Sequence, residues 1–60
     1  GGVKKIIDYT LECRPTASGL ATAVTKATCN GWQPYGNPFA TNAEFCQAIV
    51  KYEEDKEQTK

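Results

Sequence analysis

The sequence lacks several features on which common biochemical activities depend. Its 60 residues include no histidine, and seven basic side chains balance seven acidic ones, so the formal net charge is zero. Without histidine there is no Cys–His or Ser–His pair for nucleophilic catalysis. Without a net positive charge, no overall field attracts nucleic acid or an anionic lipid surface. We therefore expect no enzyme and no membrane partner, and nucleic-acid binding is the least favoured binding function.

Metal ligands and disulfide patterns are also scarce. The three cysteines, Cys13, Cys29 and Cys46, form no Cys-x-x-Cys pair and fall on different predicted elements, so a metal site is not expected. Their odd number is unusual for a secreted disulfide scaffold. The sequence shows neither a signal-peptide pattern nor an apolar run long enough to cross a bilayer. These features predict three reduced thiols in a cytoplasmic protein without a cofactor.

The short length predicts one domain that gains stability by association. A chain of this size buries only roughly 60% of the surface that its unfolded form exposes. Small domains usually add a disulfide, a metal or a second subunit. Since the first two are not expected, the sequence predicts a homodimer or a larger closed oligomer. The domain should span residues 3–52, and the charged residues 53–60 should form a frayed tail.

The spacing of apolar residues predicts one strand followed by one helix. Alternating apolar and polar residues between positions 3 and 13 are typical of a strand, and Pro15 ends it. Apolar residues at helical spacing then continue to about Cys29, with Thr16 or Ser18 as the N-cap. The opposite side of the helix is rich in threonine. This side is either a neutral exposed surface or partly covered by a partner.

The second half of the chain predicts two further strands. Residues 32–35 suit a short edge strand, because Pro34 cannot donate a hydrogen bond to a ladder. A loop should continue to about residue 43, and residues 44–52 are apolar on both faces, which suits a central strand. The predicted fold class is α+β: a βαββ domain with one helix packed on one face of a three-stranded sheet. The strand order is 1-3-2, and the central third strand is antiparallel to both neighbours.

A single helix leaves one face of the sheet uncovered. We expect the helix to cover the face of the last strand that carries Cys46, Ala48, Val50 and Tyr52. Three apolar side chains would then remain on the uncovered face, namely Ile6, Phe45 and Ile49. An exposed apolar patch on a small protein usually marks an interface, and a two-fold homodimer is the most common arrangement. These three residues are the predicted self-association face.

The aromatic loop after the helix is the candidate binding site. Trp32, in the first half of this loop, can cap the small core. Tyr35, Asn37 and Phe39 follow among glycine and proline residues and form the predicted ligand- or partner-binding loop. Rigid aromatic rings anchor protein partners. They can also stack on a base while free loop amides bind a phosphate.

Two segments in particular resemble a known protein family. The sequence Gly-Trp-Gln-Pro at 31–34 and the sequence Cys-Gln-Ala at 46–48 resemble domain-of-unknown-function family 1737, a group of short bacterial and phage proteins. The resemblance covers residues 9–51. It implies a small cytoplasmic protein, often from phage or prophage, without established activity, and it supplies no catalytic residues. Two features depart from the pattern of this family. The helix is rich in threonine and alanine, and Gly19 occupies a position where a capping glutamate is expected.

These observations favour a binding function over catalysis. The leading hypothesis is a non-enzymatic module of phage or prophage origin that self-associates and binds or inhibits a host protein, for example in host defence. The first alternative is an oligomeric protein that sequesters a small nucleotide signal. The second alternative is weak binding to nucleic acid.

Overall fold

The computed structural model describes residues 4–53 as one helix and an antiparallel sheet. The elements are β1 (Ile6–Arg14), α1 (Ala17–Cys29), β2 (Gln33–Pro34), β3 (Phe39–Ala40) and β4 (Phe45–Tyr52). The α+β class and the single helix are confirmed. Residue 3, the predicted start of the domain, lies outside the described residues, as does the predicted tail apart from Glu53.

The long last strand, β4, lies in the centre of the sheet. The order is β1-β4-β2, and β3 also pairs with β4; all three pairings are antiparallel. β1 runs along one edge of β4 over its whole length, so β2 and β3 share the other edge. The sheet therefore has four strands, one more than the sequence predicted. The additional strand has only two residues, too few to show an alternating pattern, and it lies where the sequence predicted a loop.

The position of Pro34 at the sheet edge has a simple cause. Tyr35 donates its backbone N–H to the carbonyl of Ala48 at 2.9 Å, so the backbone of Ala48 is directed towards β2. In an antiparallel ladder the direction alternates, and the backbone of Ile49 is therefore directed towards β1. Pro34 is the residue opposite Ile49. Its missing N–H is thus not required, as expected for proline in an edge strand.

Local capping signals set both ends of α1. Thr16 is the N-cap, and its hydroxyl oxygen accepts a hydrogen bond from the Gly19 backbone N–H at 3.0 Å. A Cβ atom at residue 19 would lie 2.9 Å from that oxygen, which explains glycine at this position. At the other end, Asn30 and Trp32 donate their backbone N–H groups to the Ala27 carbonyl. Gly31, between them, has a positive φ of 93°.

The helix covers the face of the sheet opposite to the predicted one. Leu20 and Val24 of α1 line the same groove as Phe45 and Gln47 of β4. Ile49, which shares this face, is only 1% exposed. The prediction that α1 covers the face of Cys46, Ala48, Val50 and Tyr52 is therefore wrong. Because β4 is apolar on both faces, its pattern alone does not select the face on which the helix packs.

A register shift near the start of β1 changes the position of Ile6. Ile6 lies opposite Tyr52, whereas Asp8 lies opposite Lys51, so the pairing slips by one residue between them. Residues directly opposite each other share a face. Ile6 therefore lies on the face of Tyr52, away from the helix. The predicted self-association face is consequently not one surface, since Ile49 is buried and Phe45 borders the groove under the helix.

A disulfide joins the two long strands. Cys13 and Cys46 lie directly opposite each other in the register, with their Cα atoms 4.1 Å apart, and their sulfur atoms are bonded. Cys29 is free and exposed. The expectation of three reduced thiols is wrong, because the odd number of cysteines results from one cross-strand pair and one free residue. The disulfide links positions 33 residues apart and constrains the unfolded chain.

Candidate functional site

Exposed apolar side chains gather on the face of the sheet that α1 leaves open. Tyr9 lies opposite Val50 and Leu11 opposite Ala48, so these four share that face. We call its exposed part the aromatic face. Its members are between 36% and 58% exposed. They are Ile6, Tyr9, Leu11, Tyr35 and Tyr52.

Two tyrosines meet across the central strand and form the middle of the aromatic face. Tyr9 lies on β1 and Tyr35 directly follows β2, and their rings meet edge to face with centroids 6.4 Å apart at an angle of 75°. Between these two strands lie Ala48 and Val50 of β4, which are 7% and 0% exposed. The tyrosine rings therefore shield the centre of a face that has no helix. Their outer surfaces remain accessible to a partner.

A buried glutamine holds the backbone beside Tyr35. Gln47 is 7% exposed, and its Nε2 donates to the carbonyls of Tyr35 and Gly36 at 3.2 Å each and of Ala48 at 3.0 Å. It thereby fixes the start of the loop after β2 and supports the position of Tyr35. Sequence reasoning missed this residue. The available signal was a polar side chain within the strongly apolar run of β4.

The structure distributes the predicted binding loop over two places. Tyr35 belongs to the aromatic face, whereas Phe39 starts β3, lies opposite Cys46 and borders the groove on the helix side. Both are exposed, at 49% and 45%. Asn37 is exposed on the turn between them and directly follows Gly36, which has a φ of 71°. Tyr35 and Phe39 thus border different surfaces.

An apolar groove lies between α1 and the β3 edge. Its volume is about 600 Å³, within the range of small-molecule sites. The main side chains that line it are Leu20, Val24, Pro38, Phe39, Phe45 and Gln47. Among the described residues that line it, none carries a charge. The groove therefore offers no cation to a nucleotide phosphate, and the one polar amide, on Gln47, is already hydrogen-bonded.

Trp32 has a structural position on the helix side. Its backbone N–H completes the end of α1, and the Lys51 ammonium lies 5.0 Å from the centre of its ring. Such a contact between a cation and an aromatic ring is stabilising. The ring is partly buried. This arrangement agrees with the interpretation of Trp32 as a residue that caps the core.

Side chains of ligand type come together at one place in residues 4–53. Donor atoms of Cys13, Glu44 and Cys46 lie within 4.8 Å of one another. The two sulfur atoms are bonded to each other, so neither is the thiolate that a metal requires. Glu44 alone then remains as a ligand. The bonded pair of Cys13 and Cys46 acts as a covalent cross-link between β1 and β4.

The fold and its surfaces define a small α+β domain with one open, aromatic sheet face. Residues 9–52 match the model of a family described as a domain of unknown function, DUF1737. The chain belongs to this family, which confirms the resemblance found in the sequence. No curated protein and no solved structure matches the chain. Within residues 4–53, α1 is too short to cross a bilayer.

Proposed function

We propose that this chain is a small protein-binding module without catalytic activity, which self-associates and recognises a protein partner through the aromatic face. The observation that carries the proposal is the group of five exposed apolar side chains on a face without a helix. Contiguous exposed apolar surface usually marks an interaction site. Tyrosine in particular is enriched among the residues that dominate binding energy.

The rigidity of this surface supports the proposal. Tyr9 is on the longest strand, and the backbone of Tyr35 is held by its N–H bond to Ala48 and by the amide of Gln47. The two rings in turn pack edge to face against each other. A side chain that is already ordered loses little conformational entropy when it binds. Each tyrosine also offers a hydroxyl group to a partner. The face is therefore suited to a protein surface that presents apolar groups with a few polar ones.

The proposed partner is a host protein that the module binds or inhibits in the cytoplasm of a bacterial host. The predicted location was based on three reduced thiols, whereas Cys13 is bonded to Cys46. Localisation can be tested separately, because disulfides are rare in the cytosol. Rapid acid quenching followed by thiol labelling would report whether Cys13 and Cys46 are oxidised in cells. Reduced thiols there would agree with a cytoplasmic site. Oxidised thiols would point to an oxidising compartment.

Variants of the aromatic face provide the test of partner binding. Tagged protein is used to recover partners from a lysate of the proposed bacterial host, and the affinity is then measured with the purified partner. Ile6→Ser and Tyr52→Ser should each weaken binding by about tenfold, because each removes a contact of the aromatic face. Thr25→Ala, on the exposed side of α1, is the matched control. Equal binding by all variants, or a loss with Thr25→Ala alone, would contradict the proposal.

The two alternatives remain predictions. Sequestration of a nucleotide between subunits requires groups that bind phosphate, and the groove described above supplies none among its lining residues. Native mass spectrometry of freshly purified protein would detect a retained nucleotide as added mass. Weak nucleic-acid binding would appear as an affinity that falls steeply with salt concentration.

A further inference from the structure

The outer edge of β1 presents unpaired backbone groups. β1 has nine residues and lies at the end of the strand order, so one of its edges has no neighbour within residues 4–53. The carbonyl of Ala48 accepts from Tyr35 and is therefore directed away from Leu11, which lies opposite it. Because the direction alternates along the strand, the backbone groups of Tyr9, Leu11 and Cys13 are directed outward. The Cα distance of 4.1 Å between Cys13 and Cys46 agrees with this pattern.

Charged side chains cap part of this edge in the isolated subunit. The Asp8 carboxylate accepts the outward N–H of Tyr9 at 3.0 Å, and Arg14 donates to the outward carbonyl of Cys13 at 2.7 Å. The same Arg14 nitrogen also pairs with the Glu12 carboxylate at 3.0 Å. The N–H and C=O of Leu11, midway between them, make no hydrogen bond within the described residues. The centre of the edge is thus open, and its flanks are held by side chains of opposite charge.

We propose that a second copy of this chain pairs antiparallel with β1, with the two-fold axis at Leu11. In this arrangement Leu11 exchanges both backbone hydrogen bonds with the partner's Leu11. The Tyr9 N–H donates to the carbonyl of the partner's Cys13, and the reverse bond follows by symmetry. The two sheets join into one. The inference rests on the self-association in the proposed function and identifies its interface.

Charge complementarity favours this register over its two immediate neighbours. A two-fold axis at Leu11 places Asp8 opposite the partner's Arg14, and Arg14 opposite the partner's Asp8. An axis at Thr10 would instead place Asp8 opposite the partner's Glu12, and an axis at Glu12 would place two glutamates together. Like charges directly opposite each other are unfavourable, whereas unlike charges are favourable. Of these three registers, the one at Leu11 alone pairs opposite charges.

In this register the dimer forms new hydrogen bonds in place of those that Asp8 and Arg14 make to the strand edge in the isolated subunit. Asp8 leaves the Tyr9 N–H and Arg14 leaves the Cys13 carbonyl, and these two backbone groups then bind each other across the interface. The released carboxylate and guanidinium pair with each other as well. Each polar group of the isolated edge therefore has an equivalent partner in the dimer. Both aromatic faces lie on the same side of the joined sheet. The two Leu11 side chains meet at the axis, and the tyrosines of each face stay free for a protein partner.

Single cysteine variants test the position of the two-fold axis. In a Cys29→Ser background, Leu11→Cys places two thiols at a hydrogen-bonded cross-strand pair, where Cα atoms are about 5.5 Å apart and a disulfide can form. Thr10→Cys and Glu12→Cys are the matched controls for the two other registers. Under mild oxidation, Leu11→Cys should give a covalent dimer with the new bond at residue 11. Peptide mass mapping excludes exchange with Cys13 or Cys46.

Charge exchange tests the same interface without new thiols. Asp8→Arg and Arg14→Asp should each raise the dimer dissociation constant roughly tenfold, because two like-charge pairs replace two opposite-charge pairs. The double variant restores opposite charges across the interface but replaces the Arg14–Glu12 ion pair within each subunit with two carboxylates, so it should bind more tightly than either single variant. Sedimentation velocity measures the constant, and circular dichroism confirms that each variant is folded.

The outcomes separate this interface from self-association in general. Protein that is monomeric at about 1 mM, where even weak association is visible, would overturn both the proposed self-association and the inferred interface. A dimer that cross-links through Thr10→Cys or Glu12→Cys but not Leu11→Cys would leave self-association intact and overturn the inferred register. A dimer that cross-links at none of the three positions, or whose double variant binds no more tightly than the single variants, would overturn the inferred β1 interface with its axis at Leu11.

Discussion

Tyr9 and Tyr35 stack edge to face across the central strand, with ring centroids 6.4 Å apart. They come from opposite edges of the sheet and shield Ala48 and Val50 from solvent. A three-layer domain would place a second helix here. This domain uses two aromatic side chains instead, so the same residues contribute to stability and form the exposed surface.

The tyrosine pair should show measurable coupling. Tyr9→Ala and Tyr35→Ala each remove the ring contact, and the pair should contribute about 1 kcal/mol to the free energy of unfolding beyond the separate effects. Urea unfolding of both single variants and the double variant measures this coupling. Tyr9→Phe keeps the ring and should retain most of the coupling energy. Strictly additive effects of the two alanine variants would show that the contact does not stabilise the domain.

The disulfide should be a major source of stability. Closing a loop of 33 residues is expected to contribute about 3–4 kcal/mol in the chain-entropy account. This is a large fraction of the stability of a small domain. Reduction of the disulfide with a phosphine should cause a large decrease in the midpoint temperature of thermal unfolding. Cys29→Ser should leave the oxidised midpoint unchanged, and an unchanged midpoint after full reduction would contradict the prediction.

Gln47 should stabilise the loop after β2. Gln47→Leu leaves the carbonyls of Tyr35 and Gly36 without their side-chain donor, at a cost of about 1 kcal/mol in the free energy of unfolding. Amide hydrogen exchange should be faster at Tyr35 than in the parent protein. Gln33→Leu, an exposed position on β2, is the control and should have little effect. Unchanged exchange at Tyr35 in Gln47→Leu would rule out this role.

The effect of an alanine at residue 19 should depend on Thr16. Alanine favours a helix over glycine by about 1 kcal/mol, but its Cβ would displace the Thr16 hydroxyl from the cap, which costs a similar amount. Gly19→Ala should therefore be nearly neutral in the parent protein. In a Thr16→Ala background, where no hydroxyl remains, it should stabilise by about 1 kcal/mol. Chemical unfolding of the four proteins checks this, and an equal effect in both backgrounds would show that the contact is unimportant.

Local features of the sequence predicted the elements well. Three correct predictions each depend on a few neighbouring residues. They are Thr16 as one of two possible N-caps, the helix end near Cys29 and the edge position of Pro34. The central position of the last strand followed from its two apolar faces. The short strand β3 was missed because two residues in a loop rich in glycine and proline carry no periodic signal.

The candidate site was predicted only in part. Tyr35 was identified from its aromatic loop, but its partner Tyr9 was not among the predicted site residues. Alternation along β1 correctly separated two faces and did not show which one the helix would cover. Ile6 was grouped with Phe45 and Ile49, whereas the register shift between Ile6 and Asp8 places it on the face of Tyr52.

The sequence by itself determined the family from two short motifs. It also determined the single helix with its end near Cys29 and the edge position of Pro34, because these depend on near neighbours along the chain. The tertiary structure decided which face of the sheet lies open, that Cys13 bonds Cys46, and that Tyr9 meets Tyr35. These features depend on the register between strands that are distant in the sequence. A shift of one residue moves a side chain to the other face, so the position of the open face follows from pairing and not from composition.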